Sequence, residues 1–228
     1  MKKEKNYARR YAKDFNILTF LYQRYSIYCL FVPIASIFYN IKLTGCENLE
    51  KKQYLYAANH ISYFDPFLVA LAVRGAKIAF MAKKELYESS YLAKNISRLG
   101  AFAVNREKLE VSTIKSAKEA FKAGWGLCIF PEGGIRKGKK IEAVNKGFVV
   151  LAKMANVDIL PISIDGLETY NWRLFKRVEV NVKIGKSIPH TLETEDIIKN
   201  WREQVAEMSC YELCADTEPE KAQATQLP

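Results

Sequence analysis

The sequence predicts an α/β fold: a largely parallel or mixed central sheet flanked by helices, with an N-terminal helical segment suited to a membrane interface. Three observations predict it. From residue 41 to about residue 165, short apolar runs alternate with stretches of helical periodicity, as in chains that build β-α-β units. Val178, Val180, Val182 and Ile184 alternate with Glu179, Asn181 and Lys183, which marks a half-exposed strand. The first 40 residues join a basic start (Lys2, Lys3, Lys5, Arg9, Arg10, Lys13) to an apolar, aromatic run.

Composition bounds what the chain can be. With 228 residues, 49% hydrophobic and 26% charged, it is a globular chain able to build one sizeable core. The net charge of +10 is uneven: residues 190–228 carry nine acidic and three basic side chains, which leaves +16 on residues 1–189. Such a body suits an anionic partner, either nucleic acid or a membrane surface with phosphorylated substrates. The five cysteines are scattered, with no CxxC pair and no histidine cluster, so no zinc site is expected and reduced thiols in a cytosolic compartment are.

In chain order, residues 1–40 read as a membrane-associating segment. The charge-free part, residues 27–38, is short of the roughly 20 apolar residues that a spanning helix needs, and Pro33 interrupts it. Tyr11, Phe15, Leu18, Tyr22 and Tyr25 recur at steps of three and four, giving one apolar stripe beside basic residues, as in a helix lying in the interface. Packing of that stripe on the protein's own core is the alternative. Residues 41–45 read as a first strand and residues 54–58 as a buried one. Asp65-Pro66 then opens a helix, with proline suited to its first position. Residues 77–82 and 100–106 are further strands, ending at Lys83-Lys84 and Arg106. Residues 107–123 form a helix with Val111, Ile114, Ala117 and Phe121 inside. The strand over residues 127–130 runs into Pro131-Glu132-Gly133-Gly134-Ile135-Arg136, and an amphipathic helix follows. Pro161 gives the strand over residues 159–164 an edge, strand-end or irregular position. Residues 197–213 read as a last helix, so the catalytic domain is expected over residues 41–213, with a disordered tail over 214–228.

The chemistry concentrates at strand ends. His60, one of two histidines, follows a buried strand, where catalytic groups of α/β folds gather and where a base titrating near neutral pH is useful. An ordinary hydrogen-bonded loop histidine is the plainer reading. Four stretches stand in order: residues 59–65, residues 100–106, Phe130-Pro131-Glu132-Gly133, and Leu160-Pro161-Ile162. Together they resemble the glycerolipid acyltransferase family, most closely the 1-acylglycerol-3-phosphate acyltransferases. The His-x4-Asp motif is complete as His60 and Asp65, and so is Phe-Pro-Glu-Gly. The family's Thr-Arg is replaced by Gly134-Ile135-Arg136, with the arginine one residue late.

The resemblance implies transfer of a fatty acyl group from acyl-CoA or acyl-carrier protein to the hydroxyl of a lysophospholipid at the cytoplasmic face of a membrane, with no other cofactor. His60 would be the base and Asp65 would orient it. The acceptor's phosphate would meet Arg106, then Lys83, then Arg136. Glu132 would accept from an acceptor hydroxyl or order Arg106 and the glycine turn, with Gly133 adding backbone contacts. Another lysolipid or an aminolipid is an alternative acceptor. A basic nucleic-acid-binding protein is the competing class, for which no recognisable module is present, so no nucleic acid is expected.

Overall fold

A computed structural model describes residues 10–105, 110–167 and 177–214. The helices are α1 (Ile17–Tyr25), α2 (Val32–Phe38), α3 (Asp65–Ala72), α4 (Ser90–Arg98), α5 (Val111–Lys122), α6 (Gly147–Ala155) and α7 (Thr194–Ser209). The first five strands are β1 (Tyr39–Thr44), β2 (Leu55–Ala58), β3 (Ile78–Lys83), β4 (Ala101–Val104) and β5 (Gly126–Ile129). The last four are β6 (Lys140–Ile141), β7 (Ile159–Asp165), β8 (Val178–Ile184) and β9 (Glu212–Leu213). Seven of them form one sheet in the order β1-β8-β7-β2-β5-β3-β4, and β6 pairs with β9 apart from it. Strands β7, β2, β5, β3 and β4 run parallel, while β8 runs against β7 and carries β1 alongside. The sheet is mixed, as the alternation of the sequence predicts.

Both faces are covered. On one, Leu55, Ala57 and Leu127 pack against Ala117 and Ala120 of α5, Phe148 of α6 and Trp201 of α7. On the other, Tyr56, Ala58 and Ile162 pack against Leu68 and Val69 of α3 and against Ile27 of the N-terminal segment. A strand buried on both faces needs a continuous apolar run, which is why residues 54–58 read so plainly. The strands also approach closely: a Cβ on Gly126 would lie 2.8 Å from the Tyr54 carbonyl oxygen and 2.6 Å from the Tyr56 ring.

Two expectations need correction and a third is narrowed. Pro161, expected at an edge, a strand end or an irregular position, is not on an edge strand. It lies in β7, between β2 and β8, opposite Ala57. The named β8 register begins one residue later, at Ile162 opposite Ile184, so the missing N–H falls where β8 ends. The last helix stops at Ser209 rather than 213. Cys210 turns left-handed at φ 58°, and Glu212 and Leu213 then pair with Lys140 and Ile141. A two-residue strand has no periodicity to announce it. The N-terminal stripe is also divided. The helix starts at Ile17, after a turn that sends Phe15 into the core against Phe102 and Trp125, with ring centroids 6.5 and 5.5 Å away.

From Ile17 to Phe38 the chain is one continuous helix of 22 residues, long and apolar enough to cross a membrane by length and composition. A π-helical stretch, Ser26–Phe31, lies in its middle. Buried Gln23 donates to the carbonyl oxygens of Ile78 and Leu99, at 2.9 and 2.8 Å. Phe31 stacks on Phe67 of α3 at 5.1 Å. The segment therefore packs against the domain through Gln23, Ile27 and Phe31. Arg106 and residues 215–228 lie outside the described residues.

Candidate active site

The parallel strands bring their C-terminal ends to one edge of the sheet, where loops leave the ladder and are free to carry chemistry. The chain leaves β2 into Asn59 and His60, leaves β5 into Phe130, Pro131 and Glu132, and leaves β3 at Lys83. Asn59 is buried and doubly bonded to Ile164 of β7: its Nδ2 donates to the Ile164 carbonyl at 2.8 Å and its Oδ1 accepts the Ile164 N–H at 2.7 Å. This extends the β2–β7 pairing by one side chain and sets where His60 begins.

Asp65 opens α3 and folds back over the loop. Its Oδ2 accepts from the Ile61 N–H at 2.7 Å and the Ser62 N–H at 2.9 Å, and lies 2.7 Å from His60 Nδ1. All three contacts fall on one oxygen; buried Oδ1 has no hydrogen-bond partner among the described residues. A carboxylate that already accepts from two amides is an acceptor, so Nδ1 must carry the proton and donate it. The basic lone pair is thereby assigned to Nε2, which makes no hydrogen bond among the described residues. The ring stacks on Phe130 at 4.1 Å and 20°, and 8% of its side-chain surface remains accessible. A five-residue separation suffices because Ser62–Asp65 closes a turn, with the Asp65 N–H donating to the Ser62 carbonyl at 3.3 Å.

Glu132 is buried beside this pair, and its Oε2 accepts the His60 N–H at 2.8 Å. Burial pushes its carboxyl up from 4.5 to about 8, against the opposing pull of the His60 N–H and Arg136, with Asp65 and Glu142 adding to the rise. A folded-state value above the unfolded one means stability that is present below about pH 4.5 and lost as pH rises towards 8. Glu132→Gln removes that loss. Its stability relative to wild type is therefore expected to increase between pH 5 and pH 8, by up to about 1.4 kcal/mol per pH unit. Urea midpoints at the two pH values check this, and an equal difference at both would contradict it.

Gly133 has φ +73° and donates its N–H to the Phe130 carbonyl at 3.0 Å; a Cβ there would meet Asn145 Nδ2 at 2.8 Å. The turn thus requires glycine. Arg136 points back into its own loop. Its Nη2 donates to the Glu132 carbonyl at 3.3 Å and its Nη1 lies 3.4 Å from Glu142. Lys83 is half exposed at the same sheet edge, 3.7 Å from Glu85. The structure therefore brings together His60, Asp65, Glu132, Gly133 and Arg136, with Lys83 at the rim; Arg106 lies outside the described residues. Cys128 is core: it is fully buried in β5, where desolvation drives its thiol pKa far upward, which disfavours the reactive thiolate.

Sequence reasoning missed two features. One is the stacking of Phe130 on the imidazole. The other is an apolar groove of about 290 Å³ lined by Phe31, Ile34, Phe38, Phe64, Leu68 and Val180 among others. Phe64 immediately precedes Asp65, so the groove adjoins the His60 loop. Its residues come from separate parts of the chain, and no local signal could have joined them.

The chain is 31% identical over 140 residues to the 1-acyl-sn-glycerol-3-phosphate acyltransferase of Streptococcus pneumoniae, a match covering 61% of this chain and 51% of that protein. It is 27% identical over 156 residues to the Bacillus subtilis protein of the same name, covering 68% of this chain and 77% of the other. The chain thus spans about half the length of the first of these relatives and about three quarters of the second. The crystal structure of the 1-acyl-sn-glycerophosphate acyltransferase PlsC from Thermotoga maritima has the same fold. Its TM-score is 0.62 at 24% identity, covering 86% of this chain and 95% of that one. The model of the acyltransferase family matches residues 40–165, which hold the His60 loop, the Phe130 loop and the strands that carry them. This chain belongs to the acyltransferase family.

Proposed function

We propose that the protein transfers a fatty acyl group from an acyl thioester, acyl-CoA or acyl-carrier protein, to the free hydroxyl of 1-acylglycerol-3-phosphate, giving phosphatidate at the cytoplasmic face of a membrane. The observation that carries this reading is the Asp65–His60 pair, which leaves Nε2 as the basic nitrogen. Nε2 takes the acceptor hydroxyl's proton as its oxygen attacks the thioester carbonyl. The intermediate collapses, the carbon–sulfur bond breaks, and the imidazolium returns the proton to the departing thiolate. Asp65 stabilises the imidazolium between those steps. The Ile61 and Ser62 amides are bonded to Asp65, so the developing oxyanion must draw on other donors.

The apolar groove beside Phe64 suits an acyl chain, and Lys83 at the sheet edge, with Arg106 by resemblance, suits the acceptor's phosphate. A lipid substrate also suits the N-terminal helix, whose Ile17, Leu18, Leu21, Tyr25, Ile34 and Ile37 are exposed. The other side of that helix is packed on the domain through Gln23 and Ile27, which favours a helix lying in the interface over one surrounded by lipid. The test is a panel of lysolipids with and without a terminal phosphate, each offered with acyl-CoA and with acyl-carrier protein. Turnover is expected to favour lysophosphatidate. Turnover confined to acceptors lacking a terminal phosphate would overturn the acceptor assignment.

A further inference from the structure

Three contacts from the loop after β5 converge on His60. Phe130 stacks on its ring at 4.1 Å, Glu132 Oε2 accepts its main-chain N–H at 2.8 Å, and the Arg136 N–H donates to its carbonyl oxygen at 2.7 Å. One loop thus takes up both main-chain polar groups of the base. The β2–β5 register ends at Ala57 opposite Ile129, so beyond it the Glu132 side chain supplies the acceptor that the ladder no longer provides. A buried N–H left without an acceptor is costly, and loss of this one would release the residue that carries the base.

We propose that Glu132 is a positioning residue: its carboxyl holds the main chain of His60 against the 130–136 loop, so that the ring meets Asp65 and Phe130 in the reactive pose, and it does not bind the acceptor. The proposal rests on the reading of His60 as the base. One observation favours it over acceptor binding: Glu132 is only 3% exposed, with an accepting oxygen already committed. The cation of the same loop acts in the same sense, since Arg136 bonds the Glu132 carbonyl and pairs with Glu142. Burial pushes the Glu132 carboxyl up to about 8, so at neutral pH glutamine reproduces both its charge and an accepting oxygen.

The test compares the full-length protein with Glu132→Gln and Glu132→Ala, measuring kcat, KM for lysophosphatidate and thermal midpoint. In Glu132→Ala, kcat is expected to fall by about 30- to 100-fold with KM within about twofold, while Glu132→Gln keeps kcat within about threefold. A KM rise of about tenfold in either variant, or a Gln variant as slow as the Ala variant, would overturn the proposal. If Glu132→Ala does not fold, Glu132→Gln decides alone: kcat and KM near wild type support positioning, and a tenfold change in either contradicts it. A readout independent of turnover is the downfield NMR proton of the His60 Nδ1–H···Asp65 bond, followed in a His190→Ala background. It is expected to persist in the Gln variant and vanish in the Ala variant; persistence in a folded Ala variant counts against the proposal. Wild-type protein without acyl transfer would instead refute the reaction, leaving the NMR comparison to judge the positioning role.

Discussion

His60→Ala is expected to lower kcat for acyl transfer by about 10³- to 10⁴-fold, because a lipid hydroxyl attacks a thioester slowly unless its proton is removed during attack. Asp65→Asn is expected to cost less, about 100-fold. The Ile61 and Ser62 amides would bind the carbonyl oxygen of the substituted side chain as they bind Oδ2 now, at 2.7 and 2.9 Å. That amide oxygen would still accept from Nδ1–H and keep the tautomer. What is lost is the charge that stabilises the imidazolium. The double variant should be no slower than His60→Ala, since residues acting as one unit are not additive. Steady-state kinetics on folded proteins check all three. Undiminished transfer by His60→Ala would end the assignment of the base.

The second large effect concerns membrane binding. Leu18, Leu21, Tyr25 and Ile37 are 72, 54, 55 and 63% exposed on the N-terminal helix and lie outside the apolar groove. Replacing all four by serine is expected to weaken partitioning onto anionic vesicles by roughly 10³-fold, if each contributes about 1 kcal/mol on entering the interface. The thermal midpoint should scarcely change, because these side chains already face solvent. Vesicle sedimentation measures the partitioning, and unchanged binding would refute the interfacial role. Deletion of residues 1–39 is a poorer experiment. It would strip Phe15, Gln23 and Ile27 from the core and take Tyr39 from the β1–β8 pairing.

Much of the site was legible because its parts are local. His60 and Asp65 are five residues apart and meet at 2.7 Å through one turn, so the short motif that carries the family resemblance was enough to pair them. Phe130 to Gly133 were recognisable as a tight turn after a strand, and Gly133 does adopt the positive φ that such a turn needs. Arg136 was harder to place. Its charge suggested phosphate, whereas its side chain is engaged by the Glu132 carbonyl and Glu142, neither of which a linear motif announces.

Periodicity and spacing by themselves determined the α/β class and the strands over residues 54–58 and 178–184, and the resemblance to the acyltransferase family paired His60 with Asp65. Such features depend on the neighbours of a residue along the chain. Tertiary structure alone decided the sheet order, the interior place of Pro161, the groove built by Phe31, Phe64 and Val180, and the hold of Glu132 on the His60 main chain. Each of these joins residues far apart in sequence, and their pairing is set by which apolar faces bury one another and which buried N–H groups find an acceptor.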